Sequence, residues 1–127
     1  MHETVPLRDE ALSDDPLRSL VSEVCEALSL DARLSPSPLA PPLFDTRRID
    51  GATRIIACRS AQPDPYAGGP TRELTFSWEH DDGRSLRLSL VENAWVGWEL
   101  VAIARGDDAW ITAANAACRR WCEPRAK

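Results

Sequence analysis

His80 is the residue whose type most invites a chemical role. It stands between Glu79 and the pair Asp81-Asp82, and a histidine flanked by carboxylates can hold a metal ion or act as a general base. The same residues also read as a turn. Asp81-Asp82-Gly83 separates two alternating runs, and Asp and Gly are the residues a tight turn selects. The turn reading is preferred, because a hairpin tip is open to water. The other histidine, His2, lies near the start of the chain. Cys118 and Cys122 are one helical turn apart and supply the spacing of half a zinc site. Cys25 and Cys58 are too distant in sequence to nominate themselves as completing ligands, so the four cysteines read as reduced, core-filling thiols and no metal is expected. No phosphate-binding glycine loop, nucleophile elbow or zinc-protease motif occurs, so neither a catalytic residue nor a cofactor is assigned.

Binding is better represented than catalysis. The chain has five Trp against two Phe and one Tyr. Trp78, Trp110 and Trp121 fall on apolar faces of their segments. Trp95 and Trp98, three residues apart, point to opposite faces of a continuous strand, so one of them is expected on the outside as an anchor for a partner. Tyr66, in the long Ser60–Thr71 loop, is a third candidate contact.

Several elements must position these residues. Residues 1–13 are polar, lack a period and read as a disordered acidic arm, leaving 14–127 as a single domain. Asp14 or Asp15 caps a helix beginning at Pro16, with Leu17, Leu20, Val21, Val24 and Leu28 on one stripe. Ser35–Leu43 is a proline-rich connector of extended backbone. Four strands follow, over Thr53–Arg59, Arg72–His80, Ser85–Val91 and about Val96–Arg105. The apolar stretch Leu100–Ala104 is expected to be covered on both faces. In the central hairpin a two-residue loop sets Trp78 against Arg87 and turns the leucines to the wrong side. A three-residue loop, Asp81–Gly83, sets Trp78 opposite Leu86, Phe76 opposite Leu88 and Leu74 opposite Leu90, with Gly83 at the left-handed position. Asp107 or Asp108 caps a last helix that ends near Glu123. Its apolar line is Trp110, Ala114, Ala117 and Trp121, and its wet side is Thr112, Asn115, Arg119, Arg120 and Glu123.

The fold class is therefore α+β: an N-terminal helix, a four-stranded antiparallel meander and a C-terminal helix packed on one face. The order is loosely similar to that of small acidic secretion chaperones and toxin-immunity proteins, with no motif in support of either. The net charge is −5, and its excess lies in residues 1–50, which hold ten acidic and five basic side chains. Nothing supplies the basic surface that nucleic acid requires, and the longest apolar run is too short to span a bilayer. A polar start and scattered cysteines point to the cytoplasm. The expectation is a small acidic, non-enzymatic protein-binding module, of inhibitor, immunity or chaperone-like adaptor type, whose partner is a basic protein or a second copy in a homodimer. The alternative is a small-molecule-binding domain or small enzyme with a pocket between sheet and helices.

Overall fold

The turn at Asp81-Asp82-Gly83 sets the frame of the sheet. The computed structural model describes residues 2–12, 16–30, 43–48, 53–61, 70–93 and 97–127. In it the third and second strands from the C-terminal end, β4 (Pro70–His80) and β5 (Ser85–Asn93), pair antiparallel with Trp78 opposite Leu86, Phe76 opposite Leu88 and Leu74 opposite Leu90, the register that the three-residue loop requires. The His80 N–H donates to the Arg84 carbonyl (3.0 Å), the Gly83 N–H donates back to the His80 carbonyl (3.1 Å), and Gly83 has φ +97°.

The meander continues on both sides of this hairpin, with β3 (Thr53–Ala61) before it and β6 (Gly97–Arg105) after it. Two further strands widen it to six: β2 (Leu43–Arg48) pairs with β3, and β1 (His2–Pro6) pairs with β6, giving the order β1-β6-β5-β4-β3-β2, all antiparallel. Leu43 opens β2, whereas the rest of the expected proline-rich connector lies outside the described residues.

The reading of residues 1–13 as a disordered arm is corrected over 2–12. His2–Pro6 is an edge strand, Leu7 is completely buried and donates its N–H to the Trp98 carbonyl (2.9 Å), and a 3-10 turn follows at Asp9–Ala11. The C-terminal tail then closes the other side of this segment. The Lys127 N–H donates to the Pro6 carbonyl (3.1 Å) and the Arg8 N–H to the Arg125 carbonyl (2.8 Å). Pro6 lacks an N–H, which an edge position tolerates.

Both helices pack on one face of the sheet. The first, α1 (Pro16–Ala27), buries Leu17, Leu20, Val21 and Val24 on its apolar stripe. It ends without glycine: Ser29 takes φ +57° and the Leu30 N–H returns to the Cys25 carbonyl (2.8 Å). The second, α2 (Asp108–Cys122), is capped by Asp107, whose side chain accepts the Trp110 N–H. It buries Trp110, Ala114, Ala117 and Trp121, and also Cys118 and Cys122 on the flank. Asn115, expected on the wet side, is buried as well. It lies in line with Ile111, Cys118 and Cys122 at helical spacing, and α2 is packed by α1 as well as by β6, so its buried arc is wider than one stripe. Beneath the helices Phe76, Leu88 and Leu90 are fully buried. On β6 burial alternates strictly: Trp98, Leu100, Ala102 and Ala104 face the helices, while Glu99, Val101 and Ile103 remain half-buried on the outer face. The apolar second half of β6 is thus fully covered on one face, not on both. No described helix is long and apolar enough to cross a membrane.

Two stability measurements check this arrangement. A Cβ added at Gly83 meets no heavy atom within 4 Å, so Gly83→Val is strained only through the backbone. It should cost about 1 kcal/mol or more in urea denaturation, and Gly83→Asn should cost less; equal stability of all three chains would contradict the left-handed turn. Leu7→Ala should cost roughly 2–5 kcal/mol, and a chain beginning at Ser13 should melt well below the full chain; an unchanged melting temperature would show that β1 is not part of the fold.

Candidate functional site

Two regions concentrate charged side chains: the hairpin tip, where they meet core tryptophans, and the outer face of the sheet. The first is a clasp. Trp78, from the inner face of β4, meets Trp110 from the first turn of α2 with ring centroids 5.2 Å apart. The Arg84 guanidinium lies 5.3 Å from the Trp78 ring and 5.1 Å from the Trp110 ring. Asp82 holds that guanidinium, accepting from Arg84 Nε at 2.7 Å and from the Arg84 backbone N–H at 3.0 Å. The Trp110 indole N–H donates to the Ser85 carbonyl (3.0 Å). Gly106 belongs to the same knot, since a Cβ there would stand 2.8 Å from Trp110 Cδ1. Cation–π contact and charge-assisted hydrogen bonds thus pin the hairpin tip to the start of α2.

His80 is part of this clasp. Its ring stacks on Trp78 at 5.8 Å, and its Nδ1 accepts the Asp82 backbone N–H at 3.1 Å while lying 3.2 Å from Asp82 Oδ1. Both contacts tie the ring to the turn, so the geometry makes His80 a turn residue and gives it no reacting partner among the described residues. The Arg84 backbone N–H, and then the Arg84 side chain, hold the Asp82 carboxyl below its ordinary range.

The second region is the outer face of the sheet, opposite the helices. A shallow depression of about 210 Å³ is lined there by Ser77, Glu79, Ser85, Arg87, Ile103 and Arg105, among others. Register sets Ser77, Arg87 and Ile103 in one cross-strand row and Glu79, Ser85 and Arg105 in the next. Arg87 and Arg105 are exposed, and neither forms an ion pair with another described residue. Farther along lie Thr75, Ser89 and Val101, with Thr75 Oγ1 and Ser89 Oγ 3.2 Å apart, and then Glu73, Val91 and Glu99. The face is apolar and hydroxylic in its middle, basic at the hairpin end and acidic at the other.

The residues nominated from sequence are distributed differently. Trp98 is the inward member of its pair, buried to 6% exposure in the core, and so is not a docking ring. Trp95 and Tyr66 lie outside the described residues. Trp78 and Trp110 are buried in the clasp, and Trp121 is buried where α1 meets α2, its indole N–H donating to Ser19 Oγ (3.2 Å). Cys25, Cys118 and Cys122 are free and buried; burial pushes the Cys25 thiol up to about 12, so it stays protonated at neutral pH. Among the described residues no three His, Cys, Asp or Glu side chains gather to hold a metal ion. Sequence reasoning missed Arg87, Glu99, Val101, Ile103 and Arg105 as a surface. The available signal was parity: once the leucines of β5 are inward, the residues between them are outward.

Asp82 generates a pH prediction. Its folded carboxyl ionises more readily than the unfolded one. Its contribution is therefore present above the unfolded value of about 4 and is lost as pH falls through the folded value. The melting temperature of Asp82→Asn should fall below that of the parent chain at pH 7, and the gap should narrow as the pH is lowered below about 4. A gap that is constant across this range would remove the charge from the clasp. Comparison with protein-family models, with curated proteins and with solved structures finds no match, so the chemistry of these two regions alone carries the functional reading.

Proposed function

We propose that this chain is a non-enzymatic protein-binding module, of adaptor, inhibitor or immunity type, that docks a partner on the outer face of its sheet. One observation carries this reading. The helices cover one face only, and the other presents half-buried Val91, Val101 and Ile103 beside exposed Arg87 and Arg105, which have no ion pair among the described residues. An apolar centre rimmed by exposed charge is the composition of a protein interface. The layer between sheet and helices, where a small-molecule pocket was the alternative, is occupied by Phe76, Leu88, Leu90 and Trp121 at 0–1% exposure. The net charge of −5 disfavours nucleic acid as the partner. Free thiols at Cys25, Cys118 and Cys122 suit a reducing compartment such as the cytoplasm.

Affinity capture from the native host tests the surface. The chain should retain a partner at near-equal stoichiometry. Ile103→Asp and Arg87→Glu should each reduce retention at least about tenfold, whereas Glu26→Lys on the exposed side of α1 should not. Retention lost with Glu26→Lys and kept with the sheet variants would move the interface to the helices.

A further inference from the structure

The outer face of β6 reads Glu99, Val101, Ile103, Arg105: an acid, two apolar side chains and a base, spaced two residues apart over roughly 20 Å. Reversed end to end, this series is complementary to itself. Arg105 comes opposite Glu99 and Ile103 opposite Val101, at both ends of the stripe at once. Glu99 is half-buried and Arg105 exposed, and neither has an ion pair with another described residue. We infer that the outer face of the sheet binds a second copy of this chain, in a symmetric dimer whose two-fold axis crosses the strands.

Charge selects that axis. A face-to-face pair of sheets has two simple two-fold arrangements. An axis along β6 brings Arg105 onto Arg105 and Glu99 onto Glu99 of the copy, and like charges meet; an axis along β5 sets Arg105 over Glu79 but Glu99 over Glu73. An axis across the strands reverses β6 on its copy and brings Arg105 to Glu99 twice. The neighbouring strand fits, since Arg87 then comes over the row of Ser89 and Ser85 over the row of Val91. On β4 the series is acidic at both ends, Glu79 and Glu73, but Glu73 already accepts from Thr75 Oγ1 (3.3 Å) and Glu79 is engaged within its own chain. Packed sheets also cross at about 30°, which carries β4 away from its copy while β6 stays over the axis. The whole face, with strands of five to eleven residues about 4.8 Å apart at about 3.3 Å per residue, presents roughly 780 Å², of the order of the roughly 800 Å² per partner of a standard interface.

The inference rests on the outer face being the docking surface and names its occupant. Sedimentation velocity and light scattering on the full chain at up to about 100 µM test it. The expected mass is twice the 14.1 kDa of one chain. Glu99→Arg and Arg105→Glu should each weaken the dimer about tenfold or more, because each replaces two attractions by two repulsions. The double exchange Glu99→Arg with Arg105→Glu should restore it to within about threefold. Ile103→Asp should give a monomer, with circular dichroism and melting temperature showing that each variant is folded. A parent chain that is monomeric throughout, or a dimer indifferent to all four variants, overturns the inference. Single variants that weaken a dimer the double exchange fails to restore overturn the crossed axis. If the parent chain is monomeric and Ile103→Asp still abolishes capture of a host protein, the docking surface stands and only its occupant is wrong; if capture survives as well, both fail.

Discussion

Everything in this protein hangs on strand register, and register is held by three residues. Asp81, Asp82 and Gly83 form a loop of odd length, so the chain re-enters the sheet with Leu86 opposite Trp78 and the whole leucine series on the side of the helices. One residue fewer would turn Leu86, Leu88 and Leu90 to solvent and bury Arg87 in their place. Because β6 pairs with β5 and β1 with β6, the choice passes outward. It decides that Trp98 is core, that Val5 packs against the core, and that Glu99 and Arg105 share the open face. The core and the proposed interface are two readings of one parity.

That loop is also tied down from outside the sheet. Arg84 packs over both the Trp78 and the Trp110 rings, which also meet each other, and Trp110 is fixed by its bond to the Ser85 carbonyl and by the start of α2. The turn and the helix N-terminus therefore order each other. At the far end of α2 a second cation does similar work: Arg125 lies 4.5 Å from the Trp121 ring, donates to the Trp121 carbonyl and reaches Glu23 of α1 at 4.0 Å. The two ends of α2 are thus each held by an arginine on an indole. Trp110 and Trp121, read from sequence as core residues, thus also fix the ends of their helix.

Much of this was legible before any coordinates. The stripe of α1, the register of the hairpin, the Asp107 cap and the apolar line of α2 follow from local periodicity and turn chemistry, and the structure has each of them. β1 was not legible, because HETVP offers one strong apolar residue and a proline, and its partner lies some ninety residues away. Asn115 misled because its burial depends on where α1 sits, which no window along α2 contains. The outer face was hidden by a similar ambiguity. Leu100–Ala104 is apolar at every position, and only pairing with β5 separates the inward residues from Val101 and Ile103. Parity put Trp95 and Trp98 on opposite faces without saying which side is inner, and the pairing of β6 with β5 settles Trp98 as inner.

The pairing of β1 with β6 has a consequence for how the chain is made. β1 must wait for β6, and α1 for α2, since both contacts join segments far apart in the sequence. Until residues near 120 are available, the apolar stripe of α1 and the inner faces of β4 and β5 lack their full covering layer. Loop closure of this span is slow relative to local hairpin formation. The growing chain therefore passes through a sticky interval, between the hairpin and the last helix, during which a holding chaperone would find its natural substrate.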